Sequence, residues 1–217
     1  TSLDQALNMP SVVPVHMSDG SWGTPTKYGI SMQEITNPIA MLSYQNNEGK
    51  TNKFIGGLYG DFDFGQLSAA LKGLKFRTSI GTEFALVSYR NYTPIYNLDP
   101  LHYSTVNKVG NGDDKYSRWN WENTLTYDKT IGESNFSLLL GHAAFRDSYE
   151  GIGGSKEDVI FDTFDKAYID NATNNASAII YGGYSNHTLL SYFGRINYDY
   201  QGKYLLTAIM RADGSSR

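Results

Sequence analysis

From Lys53 onward the chain alternates between apolar and polar positions. In KFIGGLYGDFDF, Phe54, Gly56, Leu58, Gly60, Phe62 and Phe64 fall on one face, and Ile55, Gly57, Tyr59, Asp61 and Asp63 on the other. In LKFRTSIGTEFALVS, Leu74, Phe76, Thr78, Ile80, Thr82, Phe84 and Leu86 oppose Lys75, Arg77, Ser79, Gly81 and Glu83. A period of two is the mark of a strand with unlike faces. The pattern returns in WNWENTLTYD, where Trp119, Trp121, Leu125 and Tyr127 oppose Asn120, Glu122 and Thr124. It returns again in NFSLLLGHAAF, through Phe136, Leu138, Leu140, His142 and Ala144. In SYFGRINYDY, Tyr192, Ile196, Tyr198 and Tyr200 oppose Phe193, Arg195 and Asp199, and in YLLTAIMR, Tyr204, Leu206, Ala208 and Met210 share a face.

These segments predict an all-β chain of about six strands in three hairpins. Turns within hairpins are short, near 70–73, 129–134 and 201–203, whereas the links between hairpins are long, over 89–115 and 146–187. Short turns at one end and long loops at the other is the layout of an antiparallel transmembrane β-barrel. Ring distribution agrees. Phe62, Phe76, Tyr127, Phe136, Tyr198, Tyr200 and Tyr204 lie at the short-turn ends, and Phe54, Phe84, Trp119, Trp121 and Tyr192 at the far ends. Leu58, Ile80, Leu125, Leu140 and Ile196 lie between. Two girdles of rings around an aliphatic middle suit a bilayer with two interfaces. Six strands do not close such a barrel, and unpaired backbone groups in lipid are costly, so the wall needs neighbours beyond this chain. Residues 1–52 carry Pro10, Pro14, Pro25 and Pro38 among many Gly, Ser and Asn, which is loop chemistry.

Composition narrows the classes. The 217 residues include 22 Gly, 17 Tyr and no Cys, so disulfides and thiolate metal sites are excluded. A net charge of -4 without a basic stripe argues against nucleic acid. No apolar run reaches the roughly 18 residues of a membrane-spanning helix, and the first ten residues lack the basic and apolar regions of a signal peptide.

Three stretches then carry a resemblance: KGLKFRTSIGTEF, WENTLTYDKTIGESNFSLLLGH and, above all, SYFGRINYDYQGKYLLTAIMRADGSSR. They resemble the SusC/RagA family of TonB-dependent outer-membrane transporters of Bacteroidetes. NPIA at 37–40 and the Asp19-Gly20 pair suit the same family. Ala212 stands where that family usually has a second Arg, and 146–186 is the least similar stretch. The resemblance implies a piece of a plugged barrel of about 22 strands, in the outer membrane of a Gram-negative cell. It also implies uptake energised by TonB through a region outside this chain, and a SusD-like surface lipoprotein as lid. The substrate would be an oligosaccharide or a peptide. Residues 1–52 would form a long extracellular loop region, and 53–217 the barrel strands with extracellular loops 89–115 and 146–187. Membrane lipid or lipopolysaccharide would surround the wall.

Candidate residues follow from placement. Tyr92, Tyr96, Tyr103, Tyr149, Tyr181 and Tyr184 fall in the long links, where recognition usually resides, and suit substrate or lid contacts. Glu122 and Arg195 lie on the polar face and would line the path or touch the plug. Trp119, Trp121, Tyr127, Tyr192, Tyr198, Tyr200 and Tyr204 would anchor at the membrane interfaces, although Trp119 and Trp121 also have the chemistry to stack on a sugar. Asp61, Asp63, Lys75 and Arg77 near one turn form either stabilising cross-strand pairs or a wall against a plug. Asp113 and Asp114 offer oxygen ligands without the full spacing of a Ca²⁺ loop. His16, His102, His142 and His187 have no zinc spacing. No catalytic residue, metal or cofactor is expected. The alternative is a soluble all-β carbohydrate-binding or glycoside-hydrolase module. Hydrolysis would need two carboxylates about 5–10 Å apart; Glu122 and Asp199 share a side, but nothing pairs them.

Overall fold

The computed structural model describes residues 2–32 and 34–217. Thr1 and Gln33, both inside the 1–52 stretch read as loop, lie outside the described residues. Two short helices, α1 (Ser2–Asn8) and α2 (Pro38–Tyr44), precede the strands. Then come β1 (Asn46–Asp63), β2 (Leu74–Thr93), a small pair β3 (Tyr96–Asn97) and β4 (Tyr103–Ser104), β5 (Lys108–Ile131), β6 (Ser134–Val159), β7 (Ala172–Tyr200) and β8 (Tyr204–Ser215). The six long strands form one antiparallel sheet in the order β1-β2-β5-β6-β7-β8. Each hairpin read from the sequence is therefore a pair of neighbours.

The strands are longer than the alternation alone suggested. β6 has 26 residues and β7 has 29, against the roughly 9–11 that a tilted strand needs to cross a bilayer. The stretches read as loops, 89–115 and 146–187, are mostly strand: β2 runs to Thr93, β5 starts at Lys108, β6 runs to Val159 and β7 starts at Ala172. Paired backbone continues there because each strand still has a neighbour to accept its hydrogen bonds.

The β7–β8 turn shows how the register is set. Gln201 and Gly202 have φ of 56° and 65°, and Lys203 N–H donates to the Tyr200 carbonyl at 3.0 Å. Two successive left-handed residues make a primed turn, whose twist matches the strands it joins. Asp199 Oδ1 accepts from Gly202 N–H at 2.8 Å. The register then runs from Tyr200 opposite Tyr204 to Leu189 opposite Ser215.

The chain divides into two units. One comprises Thr51–Leu86, Asp114–Gly151 and Gly183–Arg217. Its two sheet faces differ as the alternation predicts. On one, Phe62 meets Phe76 with centroids 6.1 Å apart, Phe136 meets Tyr198 at 4.9 Å, and a row runs from Trp121 to His142 at 5.5 Å and on to Tyr192 at 5.3 Å. On the other, Lys53 pairs with Glu83 at 2.7 Å, Arg77 with Asp61 at 3.6 Å and Arg118 with Asp147 at 3.5 Å. Leu58 is 77% exposed and Met210 80%, an apolar exposure too extensive to be left facing water.

The other unit comprises Thr1–Lys50, Val87–Asp113 and Ile152–Gly182. It has a core of its own, with Tyr92, Val109, Val159, Ala167 and Ala172 buried and Phe164 and Ile169 packed against them. Asn107 pins this core. Its side-chain amide donates to the Val159 carbonyl at 2.9 Å and accepts from Val159 N–H at 2.6 Å. Arg90 pairs with Glu48 at 2.8 Å, and its guanidinium lies 4.2 Å from the Phe164 ring centre and 4.7 Å from that of Tyr168. Asn37 organises the N-terminal stretch. Its Oδ1 caps α2 by accepting from Ile39 and Ala40 N–H, and its Nδ2 donates to the Val15 and Gly23 carbonyls, both at 2.9 Å. With the side chain 2% exposed, Asn37→Ala loses four bonds and leaves buried polar groups unpaired. The variant is expected to destabilise this stretch by about 2–3 kcal/mol. Hydrogen–deuterium exchange should show lost protection at Ile39 and Ala40, with that of β8 unchanged.

Candidate functional site

Within the unit that holds the long links, two tyrosines lie over glycines. Gly112 of β5 has Tyr89 of β2 above it: a Cβ there would come within 2.3 Å of the ring. Gly153 of β6 lies under Tyr181 of β7, where a Cβ would come within 2.7 Å of the ring. The two hydroxyls meet at 2.9 Å. A side chain on either glycine would lift a ring, so the absence of Cβ is what lets the pair close over the two intervening strands.

In the other unit, Tyr149 donates its hydroxyl to Asp114 Oδ1 at 2.9 Å and stands beside Tyr116, with centroids 5.2 Å apart. Arg118 reaches Asp147 at 3.5 Å and lies over Phe145 at 5.9 Å, and Arg77 lies over Tyr59 at 4.8 Å. Rings flanked by carboxylates and guanidinium groups suit the stacking and hydrogen bonding of sugars or peptides. Among the described residues no group of three or more His, Asp and Glu is placed to hold a metal ion.

The tyrosines singled out from the sequence are not gathered into one place. Tyr92 is 2% exposed and belongs to the core around Val109 and Val159. It offers no ring for contact, because β2 continues to Thr93 and turns this side chain inward. Tyr96 stacks on Tyr44 at 5.2 Å, and Tyr103 on β4 is 55% exposed. Tyr149 and Tyr181 are engaged as described, and Tyr184 is exposed. Glu122 and Arg195 stand exposed on β5 and β7. Sequence reasoning missed Tyr89, Tyr116 and Arg90. The spaced glycines of GNG at 110–112 and GIGG at 151–154 were the available signal for the first.

A latch holds the β3–β4 link to the N-terminal stretch. Asp99 is buried and accepts from the N–H groups of Leu101 and His102, both at 2.9 Å, with His102 Nδ1 at 3.0 Å. Burial pushes its carboxyl up, but hydrogen bonds from the Thr24 hydroxyl, Leu101 and His102 outweigh it and hold the group below its ordinary value. The unfolded chain therefore binds the proton more readily. The latch's contribution is whole above about pH 4 and is lost as pH falls through the folded-state pKa. Exchange protection at Leu101 and His102 is expected to hold from neutral pH down to that point and then to fall. Asp99→Asn should remove this acid step.

An antiparallel sheet with a ring-girdled apolar face and a charged opposite face is the wall of a barrel, and comparison with solved structures agrees. The chain superposes on the structure of the RagAB peptide transporter with a TM-score of 0.72, at 15% identity, over 84% of this chain and 20% of that one. The match to the RagAB peptide importer in its open-open state gives 0.70, at 17% identity, over 84% and 19%. At such identity these likenesses show the fold alone. No family model matches the chain. Among curated proteins, TonB-dependent receptor P26 of Formosa agariphila is 31% identical over 206 residues, 94% of this chain and 20% of that protein. TonB-dependent receptor SusC of Bacteroides thetaiotaomicron is 28% identical over 193 residues, 88% and 18%. The chain is therefore SusC-like: along most of its length it matches a segment of TonB-dependent receptors, and it spans about a fifth of their length. These relatives are receptors and transporters, not enzymes.

Proposed function

We propose that the chain is a section of the barrel wall of a TonB-dependent outer-membrane receptor that imports nutrients into a Gram-negative cell. The observation that carries this reading is the two-faced sheet of the unit containing Leu58, Trp121 and Tyr192, with rings at both ends of one face and aliphatics between. Lipid is the solvent such a face suits. In this reading Trp119, Trp121 and Tyr192 sit at the outer interface, and Tyr127, Tyr198, Tyr200 and Tyr204 at the inner one. Residues 1–52 and the links 89–115 and 146–187 belong to the extracellular side.

The charged face then meets the lumen. Glu122 and Arg195 face the transport path or the plug, and Tyr96, Tyr103, Tyr149 and Tyr181 are contact candidates for substrate or lid, whereas Tyr184 shares the ring-bearing face of β7 with Tyr192 and leaves that set. An oligosaccharide or a peptide is the substrate class that rings beside charged groups accommodate. Likeness to SusC and to the RagAB fold supports a SusD-like surface lipoprotein as partner, and the TonB-dependent relatives support energisation through TonB by a region outside this chain.

A cysteine scan of the full-length receptor in outer-membrane vesicles tests the reading. Leu58→Cys, Leu125→Cys and Leu140→Cys are expected to react at least about tenfold more slowly with a water-soluble maleimide than Glu122→Cys and Arg195→Cys. Equal and rapid labelling on both faces would show that the apolar face meets water, and the wall reading would be lost.

A further inference from the structure

On the ring-bearing side of the sheet, just past the row Trp121–His142–Tyr192, a hollow of about 270 Å³ opens between β5, β6 and β7. Lys115, Ser117, Trp119, Arg146, Glu150 and Tyr184 line it. Five of these six supply hydrogen-bond donors. Arg146 spends only its Nε, on Asn186 Oδ1 at 3.0 Å. Among the described residues its two terminal nitrogens have no partner, nor do the hydroxyls of Ser117 and Tyr184 or the indole N–H of Trp119. The one acid is Glu150, whose carboxylate stands 3.9 Å from Lys115 Nζ at the rim. Two cations against one anion leave the hollow net positive and rich in donors, which is an anion site by chemistry.

Its height selects the anion. Arg146 lies four residues after His142 on β6, and Lys115 four residues before Trp119 on the antiparallel β5, so both lie on the same side of the rings. At about 3.4 Å per residue and a tilt of about 35–45°, each stands roughly 10 Å beyond its ring. If the rings mark the outer interface, both cations sit at the depth of lipid headgroups. The planar fork of Arg146 suits a phosphate, and the hydroxyls with Trp119 suit the sugar that bears it. We propose that this hollow seats the phosphorylated sugar headgroup of an outer-leaflet glycolipid of the lipid A type. The proposal rests on the reading of this face as the lipid-facing one.

The test is native mass spectrometry of the full-length receptor, extracted in mild detergent and incubated with diphosphorylated lipid A, its dephosphorylated form, or inorganic phosphate. The wild type is expected to retain the diphosphorylated form. The double variant Lys115→Gln/Arg146→Gln should retain about tenfold less, while Arg77→Gln, on the opposite face, retains it fully. Heat-modifiable gel mobility reports that each barrel is folded. Equal retention by the double variant, equal retention of the dephosphorylated lipid, or full displacement by inorganic phosphate would each overturn the proposal. The cysteine scan judges the wall reading separately: slow labelling of the apolar face together with undiminished lipid retention would remove the headgroup site and leave the wall.

Discussion

An extended backbone surrounded by hydrocarbon has no water to turn to, so every N–H and C=O must find a neighbouring strand. On the proposed reading of the sheet as a membrane wall, its architecture follows from that constraint. It explains why consecutive strands are neighbours throughout the six-stranded sheet, since a hairpin pairs its strands at the least entropic cost. It explains why the β7–β8 turn is fixed so tightly, with two left-handed residues and an aspartate cap. A slip of one residue would send Tyr192, Ile196 and Tyr198 to the charged side and Arg195 and Asp199 to the apolar one.

Once pairing fixes the strands, the two faces can specialise. The ring-bearing face is held by contacts that need no water, such as Phe62 on Phe76 and Phe136 on Tyr198. Trp121 still donates to Thr78 Oγ1 at 3.1 Å, so its one polar atom is satisfied within the wall. The charged face is held by cross-strand ion pairs, each worth little alone when exposed, and it stays available to whatever passes or packs against it. The unit holding the long links adds a small core of its own around Tyr92 and Val109.

What was legible in the sequence was whatever the period of two controls. The faces of Leu58, Ile80, Trp121 and Tyr192 could be read residue by residue, and so could the hairpin at 201–203. The far ends of the strands were not legible, for a physical reason. Past Tyr89 and Arg146 the alternation of apolar and polar side chains gives way to glycines, tyrosines and carboxylates on both sides, and such text resembles loop. Tyr92 was misplaced on that account. The Asp99 latch and the Arg90 clamp join residues far apart in sequence through single side chains, and no local pattern announces such a meeting. Family likeness to SusC supplied what periodicity does not carry, namely the larger assembly into which a six-stranded wall fits.

The tyrosine pair over the glycines has one more consequence. Tyr89 and Tyr181 stand on strands three spacings apart, about 14 Å, and their hydroxyls meet because Gly112 and Gly153 put nothing in between. Four positions on four strands thus behave as one unit of inheritance. Removing a ring makes its glycine dispensable, and filling a glycine makes its ring a burden, so the energetic effects of changes there are non-additive. Drift at these four positions would then be paced by pairs of substitutions, and a chain that has lost one tyrosine should be free to lose the glycine beneath it.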